Sequence, residues 1–193
     1  MARPRVPYSR SISRDIAVSL KRERPDLDQT DYLYLLYVQR AGRILTAVFD
    51  RHCRAQCGIS GADMRVLFAL RRAGPTYALR PTELFRSLLV TSGAITKQID
   101  RLAAAGYVDR QPGPERSGGF LIHLTEQGFR VSDDILTSLA DSSVISHTTL
   151  TADERNTVCQ LVEKMLPDLE ERLQGNDREE NAISENAAAR GLG

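Results

Sequence analysis

The chain has 193 residues, 41% of them hydrophobic and 26% charged, which suits one ordinary domain with extensions and not two large ones. No apolar run approaches the roughly 20 residues of a membrane-spanning helix, and the N-terminal stretch MARPRVPYSRSISR lacks the apolar centre of a secretory signal. Three cysteines without a ligand-like spacing exclude a disulfide scaffold and point to a reducing, cytoplasmic setting. The net charge of +1 is uninformative, but its distribution is not. Residues 1–24 carry seven basic and two acidic side chains, and residues 65–130 carry ten and five. Residues 131–162 carry one basic against five acidic, and 163–185 three against eight. Sorting of this kind lets a small protein turn a basic face to a polyanion. Taken alone, it also describes ordinary solvated helix faces.

In chain order, Ile12, Ile16 and Leu20 recur every fourth residue, with Lys21, Arg22 and Arg24 following. This predicts a short amphipathic helix within 9–24, stopped by Pro25. From Asp28 the pattern of Tyr32, Leu36, Val38, Ile44, Leu45, Val48 and Phe49 predicts one long helix to about Ala55. Ser60 then reads as the N-cap of the next helix, with Asp63 at capping-box distance and Ile59 placed to staple onto Met64. That helix runs through Val66, Leu67 and Leu70 and ends at Gly74-Pro75. Pro81 opens a short helix carrying Glu83, Leu84 and Leu88. Thr91 caps another, whose inner stripe is Ile95, Ile99 and Leu102 and whose end is Gly106. Two brief strands are predicted at 107–110 and 120–124, joined by a turn or loop over 112–119. Thr125 caps a helix to about Ser142, and Thr151 with Glu154 forms a capping box for a last helix bearing Val158, Leu161, Val162, Met165 and Leu169. After Gly175 the sequence is polar and patternless, which predicts disorder over 174–193.

Two helices, a tight connection, a third helix and a hairpin make the order of a winged helix-turn-helix. The expected fold is mainly α with a small β-wing, a winged helix-turn-helix domain carried on long dimerisation helices. The helix after Thr91 divides its faces accordingly: Ser92, Gly93, Thr96, Lys97 and Arg101 lie away from the apolar stripe. Its first turn, Thr91-Ser92-Gly93-Ala94, is small and uncharged, a low-bulk edge that suits entry into a major groove. Small hydroxyls there can meet phosphate or a base edge, and a helix N-terminus favours phosphate.

Residues 79–128 resemble the core of the MarR family of bacterial transcription regulators. The matching pieces are Thr82-Glu83-Leu84, Val90-Thr91-Ser92, Ile95-Thr96-Lys97 leading to Asp100-Arg101-Leu102, Gly106-Tyr107-Val108, and Leu124-Thr125-Glu126-Gln127-Gly128. The resemblance extends over roughly 28–173 and is specific as a set. Charge and periodicity mark a basic arm with a short helix over 1–27, and the resemblance implies a MarR-like domain over 28–173. Within that domain the winged helix-turn-helix falls at about 58–126 and the dimerisation helices at about 28–57 and 126–173. It further implies a homodimeric repressor of double-stranded DNA acting on a pseudo-palindromic operator. The expected DNA-binding residues are Thr91, Ser92, Gly93, Ala94, Thr96, Lys97, Arg101 and the wing residue Arg116. The chain departs from the family pattern twice. Leu89 stands where a glycine or similarly small residue is usual, and Glu115-Arg116 replaces the usual Asp-Arg pair of the wing, displaced by one residue.

The resemblance also implies a crevice for a small effector, often phenolic or a carboxylate. Tyr37, Arg40, Arg43 and Arg65 are the expected lining, because arginine grips a carboxylate bidentately and tyrosine offers an amphipathic wall. No catalytic, cofactor or metal signature stands out, so the expectation is a protein that is not an enzyme and needs no cofactor. Cys53 and Cys57 lie one helical turn apart beside His52, which keeps open a thiol-based redox-sensing regulator. A winged-helix protein-interaction adaptor is the third reading.

Overall fold

A computed structural model describes residues 12–113, 119–141 and 150–190 of the chain, which form two compact units, one ending at Ile145 and the other beginning at Ser146. In the first unit the order is α1 (Ile12–Glu23), α2 (Thr30–Cys57), α3 (Gly61–Arg72), β1 (Ala78–Leu79), α4 (Pro81–Leu88), α5 (Ser92–Ala104), β2 (Val108–Pro112), β3 (Phe120–Leu124) and α6 (Glu126–Asp141). The second unit holds α7 (Ala152–Arg190). The local signals in the sequence are met by hydrogen bonds. Ser60 Oγ accepts from the Asp63 N–H at 3.1 Å, Thr91 Oγ1 from the Ala94 N–H at 3.3 Å, and Thr125 Oγ1 from the Gly128 N–H at 3.0 Å. Thr151 and Glu154 bond reciprocally, as a capping box requires.

The core is built around α3. Met64, Val66, Leu67 and Leu70 are fully buried there, against Leu84 of α4, Ile95, Ile99 and Leu102 of α5, Ile122 of β3 and Ile135 of α6. At its C-terminal end Arg71 binds α6: its guanidinium pairs with Asp133, donates to Ser132 Oγ at 3.3 Å and lies 4.1 Å over the Phe129 ring. At the other end Gly61 lets α3 meet α2, since a Cβ there would lie 2.8 Å from the Asp50 Cα. His52 of α2 is buried and reaches Ser138 of α6 at 2.8 Å.

The three strands are antiparallel in the order β1-β3-β2, with Ala78 opposite His123 and Val108 opposite Leu124. The sequence expects the β2–β3 hairpin but not β1, a two-residue strand after Tyr77. Pro112, expected in the loop, closes the hairpin as the last residue of β2, opposite Phe120. That edge position tolerates a residue without an N–H. In α1, Ile16 and Leu20 are half-buried and line a shallow groove with Tyr32 of α2. The backbone of α7 stays helical to Arg190, beyond Gly175, where composition predicts disorder. After Pro167 the segment has no further proline and is rich in Glu, Ala and Arg, which favour helix.

Leu89, the C-cap of α4, adopts a left-handed backbone with φ 52°. A residue with a Cβ pays about 1–2 kcal/mol for that conformation. The small residue usual at this turn relieves a strain that this chain retains.

Two expected outcomes test the packing. A Cβ at Gly128 would lie 2.1 Å from the Tyr107 carbonyl oxygen, a backbone atom that no rotamer change can move aside. Gly128→Ala is therefore expected to destabilise the chain by about 1–3 kcal/mol in urea unfolding, with the m-value unchanged. Cys53 is 0% exposed, and burial pushes its thiol up to about 11. A neutral thiol is a poor nucleophile, so alkylation at pH 8 should label the exposed Cys159 quickly and Cys53 only after unfolding.

Candidate nucleic-acid interface

The N-terminus of α5 is displayed as the sequence predicts. Thr91 has extended backbone (φ −73°, ψ 155°) and caps the helix, leaving Ser92, Gly93, Thr96 and Lys97 exposed and Ala94 half-buried. The Thr96 hydroxyl donates back to the Ser92 carbonyl at 2.9 Å, which fixes its rotamer and leaves its lone pairs outward. Lys97 is exposed and has no ion-pair partner among the described residues. The opposite face buries Ile95, Gln98, Ile99 and Leu102, so the division of labour within α5 is as expected apart from Gln98.

Arg101 has a different first duty from the one expected of it. Its Nη2 donates to Asp63 Oδ1 at 2.6 Å and its Nε to Oδ2 at 3.2 Å, a bidentate grip across 38 residues. The carboxylate raises the guanidinium pKa, and Asp63 itself is buried. Asp63 is thus spent on α5: its side chain does not complete the capping box that its spacing from Ser60 suggests. Arg101 holds the helix in place and is not available as an unpaired cation.

Arg110 of β2 is a residue that sequence reasoning missed. It pairs with Asp100 of α5 and lies 5.7 Å from the Phe120 ring of β3. Asp100 and Arg101 are adjacent on α5, so one helix is tied to the wing strand by the first and to α3 by the second. The signal was the cation two residues after Val108, on the same face of a short strand, with an acidic position on α5 to pair with. Arg116, expected at the wing tip, lies outside the described residues.

Other cations of the basic middle are also engaged. Arg71 is bound to Asp133, Arg130 lies 3.7 Å from Glu126, and Arg65 and Arg86 lie over phenylalanine rings. Among the described residues, Lys97 and Arg72 have neither a carboxylate nor a ring partner.

The four residues expected around an effector are not gathered in one crevice. Arg65 sits over Phe49 at 6.0 Å. A rise of 1.5 Å per residue places Tyr37 about 18 Å, and Arg40 about 14 Å, along α2 from that ring. Arg43 lines a shallow depression with Gln39, Gly42 and Thr46. Tyr37, Arg40 and Arg43 follow at three-residue spacing on α2, whereas Arg65 stands on α3. The redox-sensing reading also meets a physical obstacle: Cys53 is buried as a raised-pKa thiol, and the Cys57 thiol donates to the Cys53 carbonyl at 3.1 Å. Among the described residues no cluster of His, Cys, Asp or Glu could hold a metal ion, and no helix is long and apolar enough to cross a membrane.

Comparison with known proteins agrees with this geometry. Residues 58–117 match the family model described as MarR family. The chain is 30% identical over 124 residues to the HTH-type transcriptional regulator PecS of Dickeya dadantii, covering 63% of this chain and 73% of PecS. It is 35% identical over 111 residues to the multiple antibiotic resistance protein MarR of Escherichia coli, covering 56% of this chain and 74% of MarR. A cysteine-to-serine variant of E. coli MarR, solved in complex with operator DNA, superposes with a TM-score of 0.59 at 27% identity, over 74% of this chain and 99% of that one. With α5 capped, braced and displayed beside a small antiparallel wing, and with these relatives covered over most of their length, the chain belongs to the MarR family of transcriptional regulators.

Proposed function

We propose that this chain binds double-stranded DNA as a homodimer and represses transcription until a small effector releases it. The observation that carries the reading is the N-terminus of α5: four small uncharged residues lead, and Lys97 follows one turn later with no ion-pair partner among the described residues. A low-bulk helix end carrying a partial positive charge fits a major groove lined by phosphates. The operator complex of the E. coli MarR variant supports the same use of this fold. Thr91, Ser92, Gly93, Ala94, Thr96 and Lys97 are the proposed contacts, with Arg101 as a positioning residue and Arg116 as a contact from the wing.

Dimerisation is supported by apolar faces that each unit leaves exposed. In α2, Tyr32, Leu35, Ile44 and Leu45 are about half exposed. In α7, Val158, Leu161, Val162, Leu166, Leu169 and Leu173 recur at helical spacing and are all exposed. Helices of this length with open apolar stripes are stable when a second copy covers them. Residues 58–126 are proposed as the DNA-binding part, 28–57 and 126–173 as the dimerisation helices, and 1–27 as a basic arm. A two-fold dimer presents two copies of α5, so the operator is a pseudo-palindrome with half-sites about one helical turn apart. The effector is proposed to be an aromatic or carboxylate compound meeting Arg43 or Arg40 of α2, and the protein to act in the cytoplasm. No observation favours a protein-interaction adaptor.

The probe for testing this is a duplex selected from a random-sequence library by the full-length protein. Lys97→Ala is expected to weaken binding by about 1–3 kcal/mol if the amine reads a base. A uniform loss across sequences, with the salt slope smaller by about one, would assign it to phosphate. Arg101→Ala is expected to differ in kind: it strands a buried carboxylate, so the melting temperature falls together with affinity. Unchanged affinity for Lys97→Ala at low and high salt would remove that residue from the interface. For the dimer, Leu161→Asp should shift sedimentation to a monomer and abolish binding to the selected duplex; a wild-type monomer at every concentration would refute the dimer.

A further inference from the structure

Leu89 combines two properties that rarely occur together in a turn. Its backbone is left-handed, at φ 52°, and its side chain is 69% exposed, more than any other exposed large hydrophobic of the described residues. The left-handed backbone caps α4, with the Leu89 N–H donating to the Arg86 carbonyl, but the exposed leucine side chain adds nothing to that cap. An exposed leucine buries little within the protomer, and glycine or asparagine holds the same backbone with less strain. Strain kept at an exposed position points to a role outside folding. The chain then fixes where that role is exercised. Leu89 stands two residues before Thr91, the N-cap of α5, so its Cα lies within about 7 Å of the helix end. Beyond it Thr91, Ser92 and Gly93 are exposed and small, Val90 is half-buried, and Ile95 faces the core. Leu89 is therefore the one large exposed apolar side chain beside a leading edge of small polar ones.

We infer that Leu89 is a specificity-determining residue that packs on the C5-methyl group of a thymine in each half-site. The inference rests on the DNA-binding reading of α5. In the major groove thymine differs from the other bases by an apolar group, and only an apolar side chain reads it. The first turn of α5 supplies hydroxyls, backbone N–H groups and a glycine, which match phosphates and polar base edges. Leu89 adds a large apolar side chain beside the small methyl groups of Thr91 and Ala94. Leu89 ends α4 two residues before the N-cap of α5, with its side chain in solvent.

The test uses the full-length protein, with Leu89→Gly and Leu89→Asn as variants that both tolerate the left-handed backbone. Each is used to select duplexes from a random-sequence library, and the wild-type winner is resynthesised with uracil in place of individual thymines. Uracil lacks only the methyl group. The expected result is a thymine position in the wild-type selection at which uracil weakens binding about fourfold per half-site, the effect of one methyl lost from an apolar contact. Both variants should bind the thymine and uracil duplexes equally and more weakly than wild type binds the thymine duplex. Leu89→Gly should melt about 2–4 °C higher than wild type, which separates lost affinity from lost folding. Wild-type affinity unchanged by uracil at every thymine would overturn the inference, even if the variants bind poorly. Discrimination retained by both variants would do the same. Failure of the wild-type protein to enrich any duplex would overturn the DNA-binding reading itself, and this inference with it.

Discussion

A buried carboxylate sets the geometry of this protein. Asp63 lies in the first turn of α3, out of water, and an unpaired charge there would cost several kcal/mol. The guanidinium of Arg101 meets it with two hydrogen bonds, and that demand fixes α5 against α3 in both rotation and position. Dispersion alone would not do this. Ile95, Ile99 and Leu102 are interchangeable in shape with a slightly rotated stripe, whereas a bidentate ion pair has one geometry. The opposite end of α3 is held in a similar way, by Arg71 on Asp133, Ser132 and Phe129. One buried helix thus carries an electrostatic clamp at each end, and the displayed helix takes its orientation from the first.

The same bonds change the meaning of the basic charge. Ten cations in residues 65–130 look like a polyanion-binding surface. In the folded chain Arg71, Arg101 and Arg110 are each held by an aspartate, and Arg65 and Arg86 lie over aromatic rings. Surface pairs such as Arg110 with Asp100 contribute little stability on their own. Their effect is geometric, because Asp100 and Arg101 tie consecutive residues of α5 to the wing and to α3. The exposed end of the helix is then left with small side chains, the partial charge of its own backbone, and Lys97.

The long helices have the opposite character. The C-terminal half of α2 is anchored in the first unit by Phe49, His52 and Cys53, while its N-terminal half displays tyrosines and leucines to solvent. In α7 Val158, Leu161, Val162, Leu166, Leu169 and Leu173 are exposed. Such faces are poorly suited to a lone chain in water and well suited to a symmetric partner. The burial of Cys53 belongs to the same anchoring: the residue that reads in sequence as half of a redox pair is a small apolar wedge between α2 and the core.

The helix caps were legible in the sequence because each partner lies within a few residues. Ser60, Thr91, Thr125 and Thr151 cap their helices through N–H groups three positions away, Pro81 opens α4, and the alternation at 120–124 makes β3. The helix of the candidate site, its apolar stripe and its small leading edge were legible for that reason. Tertiary structure alone decided what needed a partner far along the chain. Strand β1 is two residues long and exists because Tyr77 and Leu79 find β3. The destination of Asp63 is 38 residues away, which turned an expected capping-box carboxylate into a clamp and gave Arg101 a structural duty. Of the residues expected around an effector, Tyr37, Arg40 and Arg43 follow one another on α2 while Arg65 lies on α3, because periodicity fixes the face of a helix and says nothing of which neighbour will lie against it. Local hydrogen bonding is encoded locally; the pairing of charges and the burial of a thiol are settled only when distant segments pack together.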